Sequence, residues 1–306
     1  MIRIFEVGPR DGLQNEKTIL SLSDKLWLVN ALSEAGLKDI EAGAFVRADR
    51  VPQMADSEAL QEKLNSTQSN FWYLVPNQKG LERALSKGVK NIALFSAVSE
   101  SFNQKNIGMR VADSFNEMAA MMETAKKEKL KVRGYISTVW GCPFEGRIKP
   151  TQALPVLEKM ISLGVDQLSI GDTIGVANPI AVEAILKPLL QNHSSRTDDL
   201  IAVHFHDTRG SALANSLRAF ELGVRVFDSS IGGLGGCPFA PGAAGNLATE
   251  DLLYLFKEMG VETGVNYQKV CETGMELSKR MKDKVFTSKA LQAFIANCTK
   301  NTAWDS

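Results

Sequence analysis

The chain has 306 residues, 44% of them hydrophobic and 23% charged, and its 35 lysines and arginines are balanced by 35 acidic residues. That is ample apolar material for a large core, while zero net charge without like-charge blocks argues against nucleic acid or a membrane surface as partner. Apolar runs are short and broken by charge, so none spans a bilayer, and the four cysteines are scattered, as expected of reduced thiols in a cytoplasmic protein.

The first strand-like run, RIFEVG (3–8), begins almost at Met1, without the pattern of a signal or transit peptide. Apolar residues then recur at helical spacing through 23–36, and Gly36 suits a helix C-cap. Further strand-like runs follow at 39–46, 71–75, 91–98, 132–138, 167–172, 200–207 and 226–231. Helical stretches separate them, with similar ends at Gly88, Gly164 and Gly223. A strand–helix alternation of this size implies parallel strands, because each helix carries the chain back across the sheet.

Eight such units without a composition break favour a closed (β/α)8 TIM barrel over an open doubly wound sheet. The open sheet usually places G-x-G-x-x-G after its first strand, and GPRDGLQNEK (8–17) carries no such fingerprint. The expectation is one catalytic domain over 1–306, with the barrel over about 1–260 and extra C-terminal helices over about 265–300. In such a barrel, residues at the C-terminal ends of the strands face the active site.

Unusual polar residues gather at those ends. Two of the three histidines, His204 and His206, lie one residue apart on a strand, so their imidazoles project to the same side. In isolation H-x-H reads as two satisfied polar residues; at a barrel strand end it reads as half a metal site. Arg10 and Asp11 follow the first strand, where a surface turn with a weak ion pair is the bland alternative. Asn246 closes the stretch SSIGGLGGCPFAPGAAGN (229–246). His, His, carboxylate and amide oxygen suit Mg²⁺ or Mn²⁺ through the oxygens and Zn²⁺ or Co²⁺ through the imidazoles. Glu41 and Asp172 end the second and sixth strands; each is a buried structural acid or helix cap, or else orients Arg10 or moves a proton. Cys237 lies among glycines where regular structure is excluded, which fits a reactive thiol on a loop that closes over a substrate. Cys142 is a rival thiol, in a second Gly-Cys-Pro-Phe. The G-K-[ST] ending of a phosphate-binding loop is missing.

FEVGPRDGLQNEK (5–17), GCPFEG (141–146), SIGDTIGVANP (169–179), HFHDT (204–208) and GLGGCPFAPGAAGNLATED (233–251) together resemble the 3-hydroxy-3-methylglutaryl-CoA lyase family. The resemblance spans nearly the whole chain. It implies a divalent cation on Asp11, His204, His206 and Asn246, Arg10 on the substrate's carbonyl oxygens, and Cys237 as active-site thiol. Gln14, Glu41 and Asp172 match further substrate-binding positions. It also implies an acyl-CoA substrate, retro-Claisen cleavage to acetyl-CoA and acetoacetate in leucine degradation and ketone body metabolism, and a homo-oligomer, as a dimer. Ala44 replaces a serine frequent in the family, and Arg209 a tyrosine, which leaves open another 3-hydroxy-acyl-CoA. The same superfamily contains Claisen synthases and aldolases, and a barrel that binds metal or acyl-CoA without turnover is the non-enzymatic alternative.

Overall fold

A computed structural model describes residues 1–64, 68–195, 197–236 and 245–300. Ten strands occur among them: β1 (Arg3–Glu6), β2 (Asp39–Ala44), β3 (Asn70–Leu74), β4 (Asn91–Ala97), β5 (Lys131–Ser137), β6 (Gly141–Cys142), β7 (Gly146–Arg147), β8 (Gln167–Asp172), β9 (Ile201–Phe205) and β10 (Val226–Ser229). Eight of them close a parallel barrel in the order β1-β10-β9-β8-β5-β4-β3-β2, while β6 and β7 form a small antiparallel hairpin above β5. The expected TIM barrel is therefore the observed one. Closure leaves no sheet edge unpaired, and the outer helices cover the outward faces, so β2, β8 and β10 are buried at every residue.

The helices form where periodicity placed them. In Leu22–Glu34 the Ser21 hydroxyl accepts the Asp24 N–H, and Leu28, Val29 and Leu32 turn inward. Gly36, Gly88, Gly164 and Gly223 all take positive φ at helix ends, the conformation that stops a helix at little cost for glycine. Two helices follow the barrel's last one, at Tyr267–Arg280 and Lys289–Lys300. The first leans on the helix Leu22–Glu34, where Arg280 pairs with Asp24 at 2.5 Å and lies 4.0 Å above the Trp27 ring. No helix among the described residues is long and apolar enough to cross a membrane.

The barrel interior is not wholly apolar. Arg133 of β5 is fully buried, pairs with Asp228 of β10, and stacks 3.7 Å over the Phe5 ring. Register brings these groups together: β9 sets His204 beside Asp228, and β1 sets Phe5 beside Asp228 on the other side.

Candidate active site

β1 runs into a tight helical turn, Gly8–Gly12, which turns both Arg10 and Asp11 onto the C-terminal rim. From the opposite wall, β9 delivers His204, and His206 follows it in an isolated bridge to Asn246. That bridge needs Gly245, since a Cβ there would sit 1.8 Å from the Gly233 carbonyl oxygen. One ligand atom each from Asp11, His204 and His206 lies within 4.8 Å of the others. The Asn246 amide donates to Asp11 Oδ2 at 2.8 Å and to the Leu234 carbonyl at 3.1 Å.

Within the donor cluster of Asp11, His204, His206 and Asn246, two buried atoms have no hydrogen-bond partner: Asn246 Oδ1 and His206 Nδ1. Buried polar atoms are rarely left so. Both are lone-pair donors beside a carboxylate, so the residues fit a divalent cation. His204 Nδ1 lies 3.2 Å from Asp228 Oδ2, whose carboxylate also accepts from Arg133 and from Ser169 Oγ at 2.8 Å. Burial disfavours the Asp228 anion, but Arg133 and His204 outweigh it and lower its pKa. An ionised Asp228 only accepts, so Nδ1 carries the proton and the Nε2 lone pair is left for a metal.

The charges follow from this packing. Burial works against ionised Asp11, yet Arg10 and the two imidazoles overcome it and hold the carboxyl at about 2. Burial and neighbouring His204 push His206 down to about 4, leaving the neutral imidazole that a metal requires. His204 is raised, because Asp228 outweighs its burial.

Arg10 is buried, and burial opposes its charge, but it pairs with Glu41 at 2.6 Å and Asp11 at 2.8 Å and stays cationic. Its guanidinium lies 5.5 Å from the Tyr135 ring centre. The surface-turn alternative is thus excluded for Arg10. Glu41 is wholly buried, and burial lifts its carboxyl above the ordinary range despite Arg10. Gln14 donates to Asp11 Oδ1 at 2.9 Å. Together these groups can grip a chelating oxygen ligand and place a fixed positive charge beside it.

The other sequence candidates stand as follows. Asp172 is buried at the end of β8, where its two oxygens accept the Val176 and Ala177 N–H groups at 3.0 and 2.9 Å. It anchors the loop beside the site, and Glu41 is the acid that orients Arg10. Cys142 is buried, its Sγ 2.9 Å from Ser99 Oγ and accepting the Phe144 N–H at 3.3 Å. Cys237 lies outside the described residues. Ala44 is buried at the end of β2, and Arg209 donates to the Ile174 and Gly175 carbonyls at 2.8 and 3.1 Å. Sequence reasoning missed Arg133, Asp228 and Tyr135. Their signal was a charge or hydroxyl in mid-strand, in VRGYIST (132–138) and VFDSSI (226–231).

The HMGL-like family profile matches residues 1–276. The mitochondrial hydroxymethylglutaryl-CoA lyase of Macaca fascicularis is 46% identical over 293 residues, covering 95% of this chain and 89% of that protein. The crystal structure of hydroxymethylglutaryl-CoA lyase from Pseudomonas aeruginosa superposes with a TM-score of 0.91 at 42% identity, covering 97% of this chain and 98% of that one. An HMG-CoA lyase from Acinetobacter baumannii, solved in complex with coenzyme A and 3-methylmalate, superposes at 0.90 with 33% identity, covering 100% and 97%. The chain belongs to the HMGL-like family, alongside these hydroxymethylglutaryl-CoA lyases.

Proposed function

We propose that the chain is a carbon–carbon lyase that cleaves 3-hydroxy-3-methylglutaryl-CoA to acetyl-CoA and acetoacetate. The observation that carries this reading is the convergence of Asp11, His204 and His206 beside the buried, cationic Arg10. A divalent cation held by these three and by Asn246 Oδ1 would chelate the substrate's tertiary hydroxyl and lower its pKa. Mg²⁺ or Mn²⁺ suits the two oxygen donors; Zn²⁺ or Co²⁺ suits the imidazoles.

Transfer of the hydroxyl proton to a general base lets the C2–C3 bond break. The C3 oxygen becomes the ketone of acetoacetate, and the bonding pair delocalises onto the thioester oxygen as an enolate. Arg10, locked by Glu41, supplies the positive charge for that oxygen. Gln14 steadies Asp11, and Asp172 holds the loop 173–177 at the rim. Cys237 would deliver the proton to C2 that completes acetyl-CoA. The reading also carries a cytoplasmic homodimer; the free thiols of Cys142 and Cys298 support a reducing compartment.

The test is incubation with hydroxymethylglutaryl-CoA, with EDTA and then with added Mg²⁺ or Mn²⁺. Acetoacetate should appear only with the cation. None under any condition would sink the substrate assignment and leave the barrel standing.

A further inference from the structure

Glu6 ends β1 and is wholly buried, and its hydrogen bonds go to groups outside the donor cluster. Its Oε1 accepts the Gly8 N–H at 2.7 Å and the Ile231 N–H at 3.0 Å, while Oε2 accepts the Thr249 hydroxyl at 2.6 Å. These donors belong to three separate stretches. Gly8 opens the turn that carries Arg10 and Asp11. Ile231 opens the short helical turn after β10, and Thr249 lies three residues beyond Asn246.

We infer that Glu6 is a positioning residue, which sets the Asp11 turn against the Asn246 segment and so fixes the spacing of the cation's ligands. This rests on the cation site proposed above. A carboxyl group is suited to the task because its two oxygens together offer about four lone pairs. The neighbouring backbone completes the tie: Ser230 N–H donates to the Leu247 carbonyl at 2.9 Å and Thr249 N–H to the Ser230 carbonyl at 3.1 Å. A second buried acid, Glu250, accepts the Gly232 N–H with both oxygens, at 3.0 and 2.8 Å. The segment bearing Asn246 is therefore held from below by two carboxylates, but only Glu6 also holds the turn bearing Asp11.

The geometry distinguishes acceptor from charge. In Glu6→Gln the amide oxygen still takes the Gly8 and Ile231 N–H groups. Its NH₂ donates to Thr249 Oγ1, whose proton swings to Ser229 Oγ, 2.8 Å away. In Glu6→Ala all three ties are lost.

The experiment titrates Mn²⁺ into the full chain and reads the free ion by EPR, with thermal melting in parallel. Glu6→Gln should bind within about threefold of wild type, and Glu6→Ala about 10–100-fold more weakly, the range for residues that orient metal ligands. Thr249→Val, which removes one tie, should fall between them and keeps the inference testable should Glu6→Ala not fold. Ser114→Ala breaks a buried hydroxyl pair with Ser96 on the outer face of β4, and should lower the melting temperature without changing affinity. Wild-type affinity in folded Glu6→Ala or in Thr249→Val overturns the inference, as does an equal loss in Ser114→Ala. A wild-type chain that binds no Mn²⁺ overturns the cation site itself, a result readable apart from these.

Discussion

Replacing Arg10 with glutamine removes the cation that lies 2.6 Å from Glu41 and 2.8 Å from Asp11. Its effects on rate and on stability separate. Losing a donor aimed at a developing oxyanion costs about 10²–10³ in rate, or about 3–4 kcal/mol of barrier. Stability falls for another reason: Glu41 is left fully buried without its ion-pair partner, and breaking such a pair costs about 3–5 kcal/mol. Burial already lifts the Glu41 carboxyl, so protonation absorbs part of the loss and favours the lower figure. At about 2.1 cal/mol/K per residue, a chain of 306 residues unfolds with about 0.6 kcal/mol/K, so about 3 kcal/mol is about 5 °C in melting temperature. Adding Glu41→Gln removes the stranded carboxylate and should recover most of that shift, yet turnover should stay as low as in the single variant. Acetoacetate release and calorimetry on both variants decide the matter. Turnover of Arg10→Gln within tenfold of wild type, or recovered turnover in the double variant, would refute the role given to Arg10.

Asp228→Asn weakens the grip on His204 Nδ1, and Mn²⁺ affinity should fall about 10–100-fold in a folded chain; unchanged affinity would show that Asp228 does not orient the ligand. Burial raises Glu6 to about 7 and Glu250 to about 8 from an ordinary 4.5. The native state thus keeps protons that the unfolded chain releases, so these two groups make stability fall as pH rises from about 4.5 to 8. Glu250→Gln should flatten that slope in denaturant titrations, and a variant as steep as wild type would dismiss the assignment. Alkylating Cys237 should inactivate the enzyme, with substrate protecting; full turnover after complete alkylation would reduce the thiol to a structural part.

Much of the site was legible because the barrel rule turns local sequence into place. His204 and His206 share a side by strand alternation, and Arg10 and Asp11 follow directly from a strand end. Asp172 shows the limit of that rule. It lies at the expected level, but its oxygens are turned to the Val176 and Ala177 amides, a choice made by the loop's backbone and invisible in residue type. Cys142 and Cys237 share Gly-Cys-Pro-Phe, yet Cys142 is buried within a two-residue hairpin strand that is too short for periodicity to reveal.

Alternating strands and helices, glycine stops and the absence of a dinucleotide turn determined the barrel from local pattern, since period and φ preference act over a few residues. Which charges meet inside it did not follow from that pattern. Arg133 and Asp228 are 95 residues apart, and Glu6 and Thr249 are 243 apart. Each would be a costly buried group alone and becomes tolerable only against its partner. That compensation exists only once the barrel has closed and β1 lies beside β10, so the tertiary structure alone decides it.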